Sequence, residues 1–284
     1  MDYTPEAVAN YHCELGEGPV WHPDLQKLYW TNISAGKLYS YEPSTGQHGI
    51  VYEGEPVGGY TFQEDGSLLL FRVNDIARFV EGGSAEVLTR VEDEDMARFN
   101  DVIADPRGRV FAGTIGKEIG LGGLYRIDLD GAVTCLFKGT KTANGMAFTE
   151  DLKTFYWTDS TAKTIYRFDY DIDTGELSGR REVVAFDPNE GTPDGLTIDT
   201  DGCLWSARWG GYGVYRISPE GEVLEKISLP VPKTSCPAFG GADLRDLYVT
   251  TAGGSPEEKS VEGTLYRIRT PYQGRREFRS RVLI

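Results

Sequence analysis

The sequence predicts an all-β fold: a six-bladed β-propeller with four-stranded blades around a central channel. Three observations predict it. One motif recurs six times, its copies start about 40 to 50 residues apart, and the stretches between them show strand and turn patterns without helical periodicity. The clearest pair aligns without a gap, residues 17–30 (EGPVWHPDLQKLYW) on residues 144–157 (NGMAFTEDLKTFYW). Four further copies start at Gly58 (GGYTFQEDGSLLLF), Asn100 (NDVIADPRGRVFA), Asp194 (DGLTIDTDGCLWS) and Ser235 (SCPAFGGADLRDLYV).

Within each copy the elements follow one plan. A short inner strand leads to a turn rich in Asp, Pro and Gly, then to an aromatic or aliphatic second strand. A third strand follows, as in 37–41 (KLYSY), 123–127 (GLYRI), 164–168 (TIYRF), 213–217 (GVYRI) and 263–268 (GTLYRI). A variable fourth strand completes the unit. The spacing is too short for βαβ units, and radial blades leave only short, protected sheet edges. All 284 residues are expected in one domain. Residues 8–12 and 280–284 both have strand character and are expected to meet in the closing blade.

Composition narrows the function. A formal charge of −15 repels phosphate backbones and anionic membranes, so neither nucleic acid nor membrane is an expected partner. The basic cluster of Arg275, Arg276, Arg279 and Arg281 encloses Glu277 and reads as a solvated strand face. Cys13, Cys135, Cys203 and Cys236 are scattered, which supports neither a thiolate zinc site nor a disulfide scaffold. The N-terminus lacks a signal-peptide pattern and no apolar run spans a bilayer, so a cytoplasmic protein with free thiols is expected.

The first residue of each copy precedes the inner strand, and equivalent inner-strand ends meet near a propeller axis. The six are Glu17, Gly58, Asn100, Asn144, Asp194 and Ser235, four of them with carboxylate or amide oxygen. Each alone reads as a turn residue, since Asn-Gly, Asp-Gly and Asn-Asp are common turn pairs. Their shared phase points further, because capping does not require convergence. Converging carboxylates repel unless a cation intervenes. Oxygen ligands without imidazole or thiolate suit Ca²⁺, Mg²⁺, Mn²⁺ or Fe²⁺ better than Zn²⁺.

At these residues the chain resembles the senescence marker protein (regucalcin), gluconolactonase and luciferin-regenerating-enzyme family. The motifs are LGEGPVW (15–21), RFND (98–101) with DPRGRVFAGT (105–114), NGMAF (144–148), TPDGLTID (192–199) and SCPAFGG (235–241), in order over nearly the whole chain. The resemblance implies one divalent metal ion held by Glu17, Asn144 and Asp194. It implies substrate contacts from Arg98, Asn100 and Glu118, and metal-dependent hydrolysis of a sugar lactone of the aldonolactone type. The chain departs from the family at Val102, where glycine is usual, and in the short glycine-rich loop 115–122 that carries Glu118.

Opening a lactone requires an activated water, a polarised carbonyl and a stabilised oxyanion, which a metal can supply. Asp194 is the candidate general base. Arg98 is expected to hold a sugar hydroxyl or the developing carboxylate. Its alternative is an ion pair with one of Glu92, Asp93, Glu94 or Asp95. Other constellations compete poorly. No G-x-S-x-G occurs. His22 reads as structural, Asp159 as a turn residue, Cys236 as a packed hydrophobe and Trp209 as inter-blade packing. Two alternative functions stand beside lactonase: a calcium-binding or interaction propeller without catalysis, and a promiscuous esterase or phosphotriesterase.

Overall fold

The computed structural model of the protein describes residues 3–255 and 260–284. Six four-stranded antiparallel sheets form the blades of a six-bladed β-propeller. The chain enters through β1 (Glu6–Asn10). Blade 1 is β2 (Gly16–His22), β3 (Lys27–Asn32), β4 (Lys37–Glu42) and β5 (Gln47–Glu53). Blade 2 is β6 (Gly59–Phe62), β7 (Leu68–Phe71), β8 (Asp75–Phe79) and β9 (Glu86–Arg90). Blade 3 is β10 (Met96–Ala104), β11 (Val110–Gly116), β12 (Gly122–Ile127) and β13 (Val133–Thr140). Blade 4 is β14 (Ala143–Phe148), β15 (Thr154–Asp159), β16 (Thr164–Tyr170) and β17 (Leu177–Ala185). Blade 5 is β18 (Thr192–Ile198), β19 (Leu204–Trp209), β20 (Gly213–Ile217) and β21 (Val223–Ser228). Blade 6 is β22 (Thr234–Gly240), β23 (Asp246–Thr251) and β24 (Thr264–Arg269), completed by β1 on β24. Among the described residues the one helical segment is the 3₁₀ turn Pro188–Glu190, and no helix is long and apolar enough to cross a membrane.

The outermost strand is the least buried of each blade. Every residue of β14 and β22 is buried, while β13 and β17 are mostly exposed. An inner strand packed on both faces cannot alternate apolar and polar residues, which is why these strands read as small and apolar runs. The turns between first and second strands are tied by aspartate. Asp105 Oδ1 accepts the Arg107 and Arg109 amides at 2.8 and 3.0 Å, and Asp199 Oδ1 accepts those of Asp201 and Cys203 at 3.0 and 2.9 Å. Their second oxygens hold Arg109 Nε at 2.6 Å and Arg216 Nε at 2.8 Å, both within the core.

Two compact units divide the chain, residues 1–56 with 186–276, and residues 57–185 with 277–284. In the first, Trp205, Val214, Phe239 and Leu247 fill the space between blades 5 and 6, and Trp21, Trp30, Tyr39 and Tyr248 that between blades 6 and 1. In the second, Leu69, Phe71, Phe99 and Val110 join blades 2 and 3, and Phe111, Leu124, Phe148 and Trp157 join blades 3 and 4. Each unit's core therefore lies between blades.

Two terminal expectations need correction. The N-terminal strand does close blade 6, but residues 280–284 form no strand and contribute none to that blade. Ser280 bridges to Gln63 and bonds Thr61 Oγ1 at 2.7 Å, and the Arg281 amide donates to the Gly108 carbonyl at 2.8 Å. These bonds hold the terminus on the turns of blades 2 and 3. The basic cluster is likewise irregular rather than a strand face: 275–279 carry no strand and Arg275 is half-buried. All four cysteines are free thiols, as expected, with Cys13, Cys203 and Cys236 buried.

Candidate functional site

Five of the six residues that open the copies share a backbone device. In five of the six inner strands the ladder slips where that residue stands: between Glu17 and Val20, Phe99 and Val102, Asn144 and Met146, Pro193 and Leu196, and Thr234 and Pro237. A bulge places residues outside the pleat and re-aims their side chains. The inner strand of blade 2 alone pairs without a slip. There a Cβ on Gly58 would run into the Phe99 carbonyl, so no side chain fits.

In the first unit, Glu17 and Asp194 are both buried, 7% and 6% exposed. The Gly18 amide donates to Glu17 Oε2 at 3.2 Å, from a backbone at φ 52° that glycine adopts without strain. Strand β22 packs against both β18 and β2. A Cβ on Gly195 would strike Cys236, so glycine lets β18 approach β22. On the other side Ser235 Oγ donates to the Gly16 carbonyl at 2.5 Å and lies 2.9 Å from Thr250 Oγ1. Ser235 thus joins strands, and the strands that carry Asp194 and Glu17 pack on either side of its own.

In the second unit a relay of hydrogen bonds links the expected residues. Arg98 Nη1 donates to the Phe99 carbonyl at 2.8 Å and to Asn100 Oδ1 at 2.7 Å. Asn100 Nδ2 donates to Asn144 Oδ1 at 2.7 Å and to the Ala143 carbonyl at 2.9 Å. Asn144 Nδ2 donates to Ser160 Oγ at 2.9 Å. Both amides are buried, and the relay fixes which edge of each is oxygen. The acidic residues Asp93 and Asp95 pair with Lys138.

Glu118 stands apart. It is exposed in the loop after β11, and among the described residues its side chain makes no hydrogen bond. Its loop leaves the sheet where Ile115 pairs with Arg98, which puts the two at the same end of blade 3. Sequence reasoning passed over Asp101. It shares the β10 bulge with Asn100, and burial pushes its carboxyl up to about 7. Its signal was adjacency to Asn100 at a position where both could leave the pleat. Ser160, which anchors Asn144, carried no signal of its own.

The residues read as structural behave so. His22 Nδ1 accepts the Leu25 amide at 3.2 Å, and Asp159 Oδ1 accepts those of Thr161 and Ala162 at 3.0 Å each. Cys236 is buried, and Lys233 Nζ lies 5.3 Å over the half-buried Trp209 ring. Among the described residues no three His, Cys, Asp or Glu side chains gather as a metal cluster. The expected ligand set differs from such a cluster in taking one oxygen from an amide.

Known proteins share this architecture and sequence. The SMP-30/gluconolactonase/LRE-like region profile matches residues 15–253. Pentonolactonase XacC of Haloferax volcanii is 44% identical over 289 aligned positions, covering 98% of this chain and 99% of that one. Regucalcin of Xenopus laevis is 34% identical over 93% of each chain. The crystal structure of a calcium-binding protein, regucalcin from Agrobacterium tumefaciens, superposes with a TM-score of 0.91 over 99% of this chain and 98% of that one, at 25% identity. The chain belongs to the SMP-30/gluconolactonase/LRE-like family.

Proposed function

We propose that this protein is a metal-dependent lactonase that opens a sugar lactone, an aldonolactone, to its sugar acid. The observation that carries the reading is two buried carboxylates, Glu17 and Asp194, at strand bulges of a chain 44% identical to a pentonolactonase over 98% of its length. With the amide oxygen of Asn144 they make a hard donor set, which fits a divalent ion. We assign Glu17, Asn144 and Asp194 as its ligands, with Ca²⁺ first among Ca²⁺, Mg²⁺, Mn²⁺, Fe²⁺ and Zn²⁺ because a regucalcin of this fold is a calcium-binding protein. Bound there, the ion would supply Lewis acidity toward the ester and lower the pKa of water.

The chain's own residues divide the remaining work. Asp194 is the general base that takes a proton from the attacking water. Arg98, anchored on Phe99 and Asn100, directs its planar fork of donors at a sugar hydroxyl or the nascent carboxylate. Asn100 fixes a hydroxyl or ring oxygen, and Glu118 receives a sugar hydroxyl from the loop. Cation binding without turnover is the second reading, favoured by the same calcium-binding relative.

The test is pH-stat hydrolysis of a panel of aldonolactones by metal-stripped protein, each divalent ion being restored separately. Turnover that returns with one ion supports the lactonase and names its metal and sugar. Folded, metal-loaded protein that turns over none of them leaves the binding reading.

A further inference from the structure

One ammonium ties together the two backbone segments assigned to substrate in blade 3. Lys138, on β13, donates from Nζ to Asp93 Oδ1 at 3.0 Å and to Asp95 Oδ2 at 2.8 Å. The Tyr125 hydroxyl, on β12, donates to the other oxygen of Asp93. The segment before β10 is wound around this aspartate. Asp93 Oδ1 also accepts the Asp95 amide at 3.0 Å, and its carbonyl accepts the Met96 amide at 3.1 Å. The Asp95 carbonyl in turn accepts the amide of Lys117 at 2.9 Å, where the loop carrying Glu118 begins. The cation therefore grips the strand entry that leads to Arg98 directly and reaches the loop that leads to Glu118 through the Asp95 backbone, a loop that the Lys141 and Thr140 carbonyls also hold through Gly116 and Gly120.

The ladder cannot do this alone. Pairing between β10 and β11 slips between Met96 and Arg98 and again between Phe99 and Val102, so Arg98 sits between two irregularities. The clamp is polar and half-sheltered, with Lys138 30%, Asp93 16% and Asp95 46% exposed. Burial raises the Asp93 carboxyl, but the bonds from Tyr125 and Lys138 outweigh it and hold the group below the usual range. Hydrogen bonds to Asp95 and Asp93 raise Lys138 above its ordinary value, so the clamp stays charged through neutral pH.

We infer that Lys138 is a positioning residue for substrate binding: through Asp93 and Asp95 it sets the placement of Arg98 and of the Glu118 loop. The inference rests on the reading of Arg98 as a substrate contact. Ion pairs this exposed add little to global stability, whereas small displacements of a binding group cost much. The effect therefore belongs in substrate affinity.

Steady-state hydrolysis of an aldonolactone by metal-loaded wild type, Lys138→Met, Lys138→Arg and Arg98→Ala tests it. Hydrogen exchange of the same proteins is followed at residues 92–98 and 117–121. Lys138→Met should raise KM about ten-fold, equivalent to about 1.4 kcal/mol, with kcat within about two-fold, and Lys138→Arg should recover most of the loss. Exchange in both segments should quicken in Lys138→Met while the other blades stay unchanged. An unaltered KM in Lys138→Met beside a raised KM in Arg98→Ala overturns the clamp and leaves the reading of Arg98 intact. Unaltered KM in both variants overturns both. Unaltered exchange overturns the clamp whatever the kinetics.

Discussion

Replacing Asn100 by leucine separates the role of the amide relay from that of its volume. Leucine keeps the branched outline of asparagine, though it is somewhat larger, and neither donates nor accepts. It leaves Asn144 Oδ1 and the Ala143 carbonyl without the donor that now stands 2.7 and 2.9 Å away. Each abandoned buried acceptor costs about 1–3 kcal/mol. The gain from burying leucine, about 1.5 kcal/mol or more, offsets part of this. The net loss is about 3 kcal/mol, or about 6 °C in Tm for a chain of this size. The second consequence concerns orientation. Asn144 keeps its bond to Ser160 Oγ at 2.9 Å but loses the one that holds its oxygen edge, so the amide can pivot. Loss of such an outer partner typically weakens metal binding about 10- to 100-fold. Calorimetric titration of the metal-stripped protein with Ca²⁺, beside a thermal melt, measures both effects. A melt lowered as expected with Ca²⁺ affinity within two-fold of wild type would refute the link between Asn100 and a metal-bearing Asn144.

Three further outcomes follow from other parts of the structure. Asp194→Ala should stay folded and lose lactone turnover by at least about 100-fold, as expected on removing a general base; a folded variant with full activity in the pH-stat sinks the assignment. Asp199→Ala removes the acceptor of Arg216 Nε at 2.8 Å and of Trp205 Nε1 at 2.9 Å, although Arg216 keeps Asp201 at 2.9 Å. Breaking a buried pair costs about 3–5 kcal/mol, and with the remaining partner about 3 is expected; a Tm within 2 °C of wild type, about 1 kcal/mol or less, would show the pair to be energetically idle. Asp101 gives a pH dependence. Its folded carboxyl is pushed up to about 7, while an unfolded aspartate titrates near 3.9. The folded protein thus holds a proton that the unfolded chain releases, and this contribution, full below about pH 4, is lost as pH rises through 7. Metal-free Asp101→Asn should therefore be the more stable protein at pH 8, by about 2 kcal/mol once partial solvation of the side chain is discounted. At pH 3.5 that advantage should vanish, and denaturant melts showing the same difference at both pH values would contradict it.

The repeat was legible because every blade solves the same packing problem. Trp30, Trp157 and Trp205 recur at the second strand since each fills the gap to a neighbouring blade. Asp105 and Asp199 recur since each ties the same turn and neutralises an arginine. The terminus was not legible. Residues 280–284 are short and apolar enough to pass for a strand, yet bonds to Phe62, Gln63 and Gly108 consume their backbone groups elsewhere. Nor was the clamp on Lys138, whose partners lie 43 and 45 residues away and share no motif with it.

The candidate residues stood out in the sequence for a reason that the bulges supply. In a strand buried on both faces, side-chain polarity is dictated by what surrounds the pleat. A residue in or beside a bulge is eased from that constraint: Asn100 and Asp194 stand unpaired within one, Glu17 and Asn144 keep their partners Thr31 and Thr158 at its edge, and all four are polar inside strands that otherwise read as apolar. The two remaining copies test the rule. Ser235 occupies a bulge too, and turns its hydroxyl into a strut between Gly16 and Thr250. Gly58 has no bulge, and the Phe99 carbonyl occupies the place of its Cβ. Thus the one inner strand without the device is the one with no side chain to aim. This is the pattern expected if the bulge exists to present a side chain, and a mere turn preference for Asn, Asp and Gly does not account for it.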